Sequence, residues 1–115
     1  MSNKDKIYLL EKLITHDLKI INYFQNDLTK YKLLILVLKN HFEKKTFTIE
    51  EVIEELPKNI SSRAHKLNCI TDATLKNFLI KETSNSDMRK KYLKPSDALL
   101  VEFEIFSKIL EHKKL

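Results

Sequence analysis

Ser61-Ser62-Arg63-Ala64-His65-Lys66-Leu67 packs hydroxyls, an imidazole and two cations into seven consecutive residues. Such donors suit phosphate oxygens and the edges of bases. A second cluster, Ser84-Asn85-Ser86-Asp87-Met88-Arg89-Lys90-Lys91-Tyr92-Leu93, sets an arginine and two lysines beyond a run of turn formers. The chain has only two arginines among its 21 basic residues, Arg63 and Arg89, one in each cluster. Arginine offers a planar fork that bonds guanine or bridges phosphates, where lysine offers a hydrated point charge. The expected chemistry is recognition of a polyanion, with Ser62, Arg63, His65 and Lys66 best placed to reach base edges and Arg89, Lys90 and Lys91 along the backbone; Ser61 and Asp87 complete the candidate set.

The charge distribution agrees. From Lys58 to Lys94 nine basic residues face three acidic ones, whereas the rest of the chain holds 12 basic and 13 acidic residues. The whole excess of positive charge, formally +5, therefore falls on the segment that carries both clusters. A solvated lysine-rich surface would give the same arithmetic, so the placement of the charge matters more than its size.

The elements that position these residues follow from periodicity. The chain contains no glycine and two prolines, which points to long helices with short connections. Ile7, Leu10, Ile14, Leu18, Ile21 and Phe24 recur every three or four residues and predict one amphipathic helix from about Lys4 to Gln25, with Asp17 arguing against a strict coiled coil. A helix apolar on most of its circumference, and hence central, is predicted from about Thr29 to Phe42. Thr48 and Glu51 read as a capping box that opens a third helix, closed by Pro57, with Glu50, Glu54 and Glu55 on its outer face.

The helix that carries the first cluster starts with Ser61 or Ser62 as N-cap and runs to about Lys76. Ala64, Leu67, Ile70 and Leu75 are expected on its buried face and Ser62, His65, Asn68, Asp72 and Lys76 on the opposite one. Asn77 can take the left-handed conformation that ends a helix. Residues 78–83 and 90–94 then read as two strands of a hairpin around the polar turn, and Pro95-Ser96 opens a last amphipathic helix with Leu99, Leu100, Phe103, Phe106, Ile109 and Leu110 available for burial.

This order of elements is that of a winged helix-turn-helix: mainly α with a small β-hairpin, flanked by N- and C-terminal helices. The 115 residues make one domain, with a dimerisation helix in 1–28, the winged helix-turn-helix core in 29–94 and a C-terminal helix in 95–115. The run from Ala64 through Ile70 and Leu75 to Asn77-Phe78-Leu79, then Asp87-Met88-Arg89 before Leu93-Lys94-Pro95-Ser96, resembles the MarR family of transcriptional regulators as a short, divergent member. The resemblance spans roughly Ile49 to Asp97, less than half of the chain. Asn77 stands where the family commonly has glycine.

The resemblance implies that Arg89 is the wing arginine at the minor groove and that Asp87 braces the wing. It also implies a homodimer joined by terminal helices, for which the stripes Ile7 to Phe24 and Leu99 to Leu110 are the available surfaces, and a pseudo-palindromic duplex DNA site. Many family members answer to small aromatic ligands or to thiol oxidation, but no motif here identifies an effector, and Cys69 reads as a small core residue. The alternative to a regulator is a winged helix that docks on another protein of a replication or transcription assembly.

Other classes are disfavoured. A lone cysteine and four histidines, His16, His41, His65 and His112, in separate helices show neither C-x-x-C nor H-x-x-x-H spacing, so no metal, cofactor or catalytic constellation is expected. No apolar run approaches the length of a membrane span, and the reading is a cytoplasmic protein that does not enter a membrane.

Overall fold

The computed structural model describes residues 2–13, 18–83, 86 and 89–112. Its elements run α1 (Asn3–Leu13), α2 (Lys19–Gln25), α3 (Leu28–Phe42), α4 (Ile49–Glu55), α5 (Arg63–Leu75), β1 (Leu79–Thr83), β2 (Lys91–Pro95) and α6 (Asp97–His112). This is the predicted mainly α winged helix-turn-helix with flanking helices.

Local signals act where the sequence places them. Thr48 Oγ1 accepts from the Glu51 N–H while the Glu51 carboxylate accepts from the Thr48 N–H, a complete capping box for α4. Ser62 Oγ accepts from the His65 N–H and opens α5, and Ser96 Oγ accepts from the Leu99 N–H at the start of α6. Asn77 sits at φ 61°, so the Phe78 N–H turns back to the Ala73 carbonyl and the chain leaves α5 directly into the hairpin. The cap of α3 is Asp27, whose Oδ1 accepts from the Lys30 N–H at 3.1 Å.

The first helix departs from expectation. Leu18, at φ −111° and ψ 52°, is out of the helical region and precedes a separate α2; residues 14–17 and the Leu10 side chain lie outside the described residues. Leu18 supplies no side-chain cap. Instead both oxygens of the Glu102 carboxylate, from α6, accept the N–H groups of Ile20 and Ile21 at 3.1 and 2.8 Å. Glu102 is 8 % exposed, so a buried anion from the last helix starts the second.

The core joins Leu18, Ile21 and Phe24 to Leu33, Leu34 and Val37 of α3, Val52 and Ile53 of α4, Ile70 and Ala73 of α5, and Leu79, Leu93 and Leu99. The hairpin is antiparallel with Leu79 opposite Pro95 and Thr83 opposite Lys91. At its base Leu79 and Pro95 are both buried, midway Leu93 is buried opposite exposed Lys81, and at the far end Thr83 and Lys91 are both exposed, so the wing projects from the body. Thr48 forms one further bridge to Tyr92, and the Leu93 N–H reaches the Phe47 carbonyl, which fastens the wing to the start of α4.

Candidate nucleic-acid interface

Four tethers orient α5. At its start, Thr29 Oγ1 donates to Ser61 Oγ at 2.9 Å and the Arg63 guanidinium meets the Glu50 carboxylate of α4 at 2.5 Å. One turn on, His65 Nε2 lies 3.1 Å from Asp27 Oδ2 at the head of α3. Near its end, the Tyr23 hydroxyl of α2 donates to Asp72, whose carboxyl is held low by that bond and by Lys76; burial, and then Asp72, push the Tyr23 phenol up.

These tethers reassign the sequence-predicted residues. Ser61 and Ser62 are spent on the Thr29 contact and the N-cap. Arg63 is exposed, but it folds back on α4, where it holds the Glu50 carboxyl below the usual carboxylate range. His65 turns toward Asp27 rather than outward. Lys66 is 5 % exposed, on the same side as buried Cys69, Ile70 and Ala73, which corrects the expectation that it reaches base edges. The positions 66, 69, 70 and 73 are one helical stripe, so burying Cys69 and Ile70 takes Lys66 inward with them.

The solvent-facing stripe of α5 is consequently Ala64, Leu67, Asn68, Thr71 and Leu75. For Ala64, Leu67 and Leu75 this reverses the expected buried face. Their helical spacing, three and then eight residues, is equally compatible with either side, and only the packing of α5 on α3 and α4 decides which side faces solvent. This exposed stripe carries no charge.

On the wing, Arg89, Lys90 and Lys91 are all exposed. Together with Thr48, Ile49 and Glu50 they line a cleft of roughly 390 Å³ between the hairpin and the head of α4. Lys91 Nζ donates to Thr83 Oγ1 across the strands at 2.7 Å, and Lys94 pairs with Glu82 at 2.6 Å. Asp87, expected to brace the wing, lies outside the described residues.

Sequence reasoning missed one grouping. Asp27 Oδ2, His65 Nε2 and Cys69 Sγ all lie within 4.8 Å of one another. The available signal was His65-x-x-x-Cys69, one helical turn, a spacing as suitable for two ligands as the H-x-x-x-H that the chain lacks; Asp27 arrives only through the fold. Among the described residues no helix is long and apolar enough to cross a membrane.

No family model matches the chain, and no curated protein matches it. Among solved structures, it is similar to a mutant of MepR from S. aureus, at 15 % identity and TM-score 0.55, over 95 % of this chain and 67 % of that one. It is also similar to the heme sensor protein PefR from Streptococcus agalactiae in complex with heme, at 21 % identity and TM-score 0.52, over 96 % of this chain and 77 % of the other. At these identities the likeness is one of fold, and it extends over nearly all of this chain, well beyond Ile49 to Asp97.

Proposed function

We propose, from the MarR-type winged-helix fold that this chain has, that it is a transcriptional regulator that binds duplex DNA as a homodimer, with α5 in the major groove and the wing at the minor groove. The observation that carries this reading is the uncharged stripe Ala64, Leu67, Asn68 and Thr71 on the open side of α5, beside a wing that bears Arg89, Lys90 and Lys91. Asparagine pairs with the N6 and N7 edge of adenine, and Ala, Leu and the threonine methyl group suit the thymine methyl. The division of labour is then base reading by the helix and phosphate neutralisation by the wing. Arg63, held by Glu50, belongs with the positioning groups.

The dimer reading rests on apolar side chains left exposed on the terminal helices. Ile7 and Tyr8 of α1 and Val101, Ile105 and Leu110 of α6 all face solvent, and α1 rests on α6. Pairing these helices across a two-fold axis would cover them and set two reading helices toward successive major grooves. Val101→Glu is expected to convert a dimer to a monomer in sedimentation equilibrium and to weaken operator binding. A dimer of wild-type strength in that variant would move the interface elsewhere.

Selection of bound sequences from random duplex DNA tests the main reading. A pseudo-palindromic motif rich in A·T pairs is expected, bound with an affinity that falls steeply with salt. Arg89→Ala and Lys90→Ala should each lower affinity for all sequences alike and reduce the salt slope by about one, with thermal stability nearly unchanged. The second reading, a winged helix that docks on a protein, draws on Leu67 and Leu75, which are exposed and apolar on the same helix. That reading expects weak DNA binding with little salt dependence.

A further inference from the structure

We propose that Asp27, His65 and Cys69 form a binding site for a divalent transition-metal ion of the zinc class, which ties α5 to the head of α3. His65 Nε2 lies 3.1 Å from Asp27 Oδ2 and 3.6 Å from Cys69 Sγ. A tetrahedral ion with bonds of about 2.0 Å to nitrogen and oxygen and about 2.3 Å to sulfur puts those edges at about 3.3 and about 3.5 Å. Those two edges agree to about 0.2 Å, and the third, from Asp27 to Cys69, lies within 4.8 Å, so the carboxylate closes on the sulfur by a side-chain rotation when the ion binds.

Hydrogen bonding serves the three atoms unequally. A single Nε2–H can serve Asp27 at 3.1 Å and leaves the sulfur, a weak acceptor, at 3.6 Å. A thiol–imidazole–carboxylate relay is excluded, because it needs one partner on each ring nitrogen, whereas both partners here address Nε2. A dication bound between them would satisfy all three atoms once the carboxylate has closed on it. Carboxylate, neutral imidazole, thiolate and dication together carry no net charge, which suits a site with one wall buried.

The surroundings are compatible with loading. Cys69 is 2 % exposed and forms the inner wall, while the half-buried Asp27 and His65 side chains leave an approach from solvent and room for a water as fourth ligand. When the metal–sulfur bond forms, the thiol proton leaves to solvent and nothing is oxidised or reduced. The α3 cap survives, because Asp27 Oδ1 keeps the Lys30 N–H while Oδ2 binds the ion.

Titration of the whole metal-free protein with Co²⁺, under reducing conditions and without DNA, tests the site independently of the DNA-binding reading. A thiolate-to-cobalt charge-transfer band and intense tetrahedral d–d bands are expected, saturating at one ion per chain and displaced by Zn²⁺. Cys69→Ser should abolish the charge-transfer band, and His65→Ala and Asp27→Asn should weaken binding by about tenfold or more. Asp27→Asn retains the cap acceptor, so its loss of binding is separable from misfolding. Zinc should raise the melting temperature of the wild type and leave that of Cys69→Ser in place. Absence of the band at one equivalent, or a band that survives in Cys69→Ser, overturns the proposal.

Discussion

Glu102→Ala is expected to destabilise the protein by about 3 kcal/mol, read as a shift of the urea midpoint at unchanged slope. Both oxygens of this carboxylate accept backbone N–H groups at the start of α2, from residues 82 and 81 positions earlier in the chain. Alanine strands two donors in a buried setting, at about 1–3 kcal/mol each, and removes the anion that complements the helix N-terminus. For a domain of this size the melting temperature should fall by roughly 10 °C. Glu102→Gln, which retains one carbonyl acceptor, should cost about half as much. A loss below about 1 kcal/mol for Glu102→Ala would mean that water replaces the carboxylate and that α2 does not depend on α6 for its start.

Asn68→Ala is expected to lower operator affinity by about 10- to 100-fold while leaving binding to unrelated DNA unchanged. Asn68 is exposed in the middle of the outward stripe of α5; in the proposed complex its amide would read adenine through a bidentate contact, and its truncation would remove no phosphate contact. In selected sequences the preference at one position of each half-site should disappear. Arg63→Ala makes the contrast: its guanidinium is engaged with Glu50, so a small loss without a change in base preference is expected. If the selected motif stays the same in Asn68→Ala and relaxes in Arg63→Ala, the base-reading roles assigned to these two residues are reversed.

Much of the fold was legible because its punctuation is local. The Thr48–Glu51 box, the Ser62 cap and the left-handed Asn77 each depend on residues within three or four positions, and all three stand where the sequence put them. The hairpin strands, expected over 78–83 and 90–94, begin at Leu79 and end at Pro95, because the ladder pairs those two residues at its base. The expected single helix from Lys4 to Gln25 failed for the opposite reason. Its apolar spacing continues through Leu18, but the break there coincides with a cap supplied by Glu102, which no local pattern announces.

The candidate interface was legible as a region and misread in orientation. Composition located the excess of positive charge between Lys58 and Lys94, and periodicity identified α5 as a helix. Which side of α5 faces inward could not be read, since apolar residues lie on both: Cys69, Ile70 and Ala73 on one, Ala64, Leu67 and Leu75 on the other. A helix with two apolar stripes takes its orientation from what it packs against, and α3, α4 and the Tyr23–Asp72 and Thr29–Ser61 contacts select the first stripe.

The sequence by itself determined the succession of helices and wing, the caps that separate them and the concentration of basic charge on one segment, because these depend on neighbours along the chain. Tertiary structure alone decided that Lys66 turns inward, that Arg63 and His65 are held by Glu50 and Asp27, that Ala64, Leu67, Asn68 and Thr71 face outward, and that Cys69 meets His65 and Asp27. Each of these is a choice between faces of one helix, and such a choice is made by burial against distant elements rather than by any property of the helix itself.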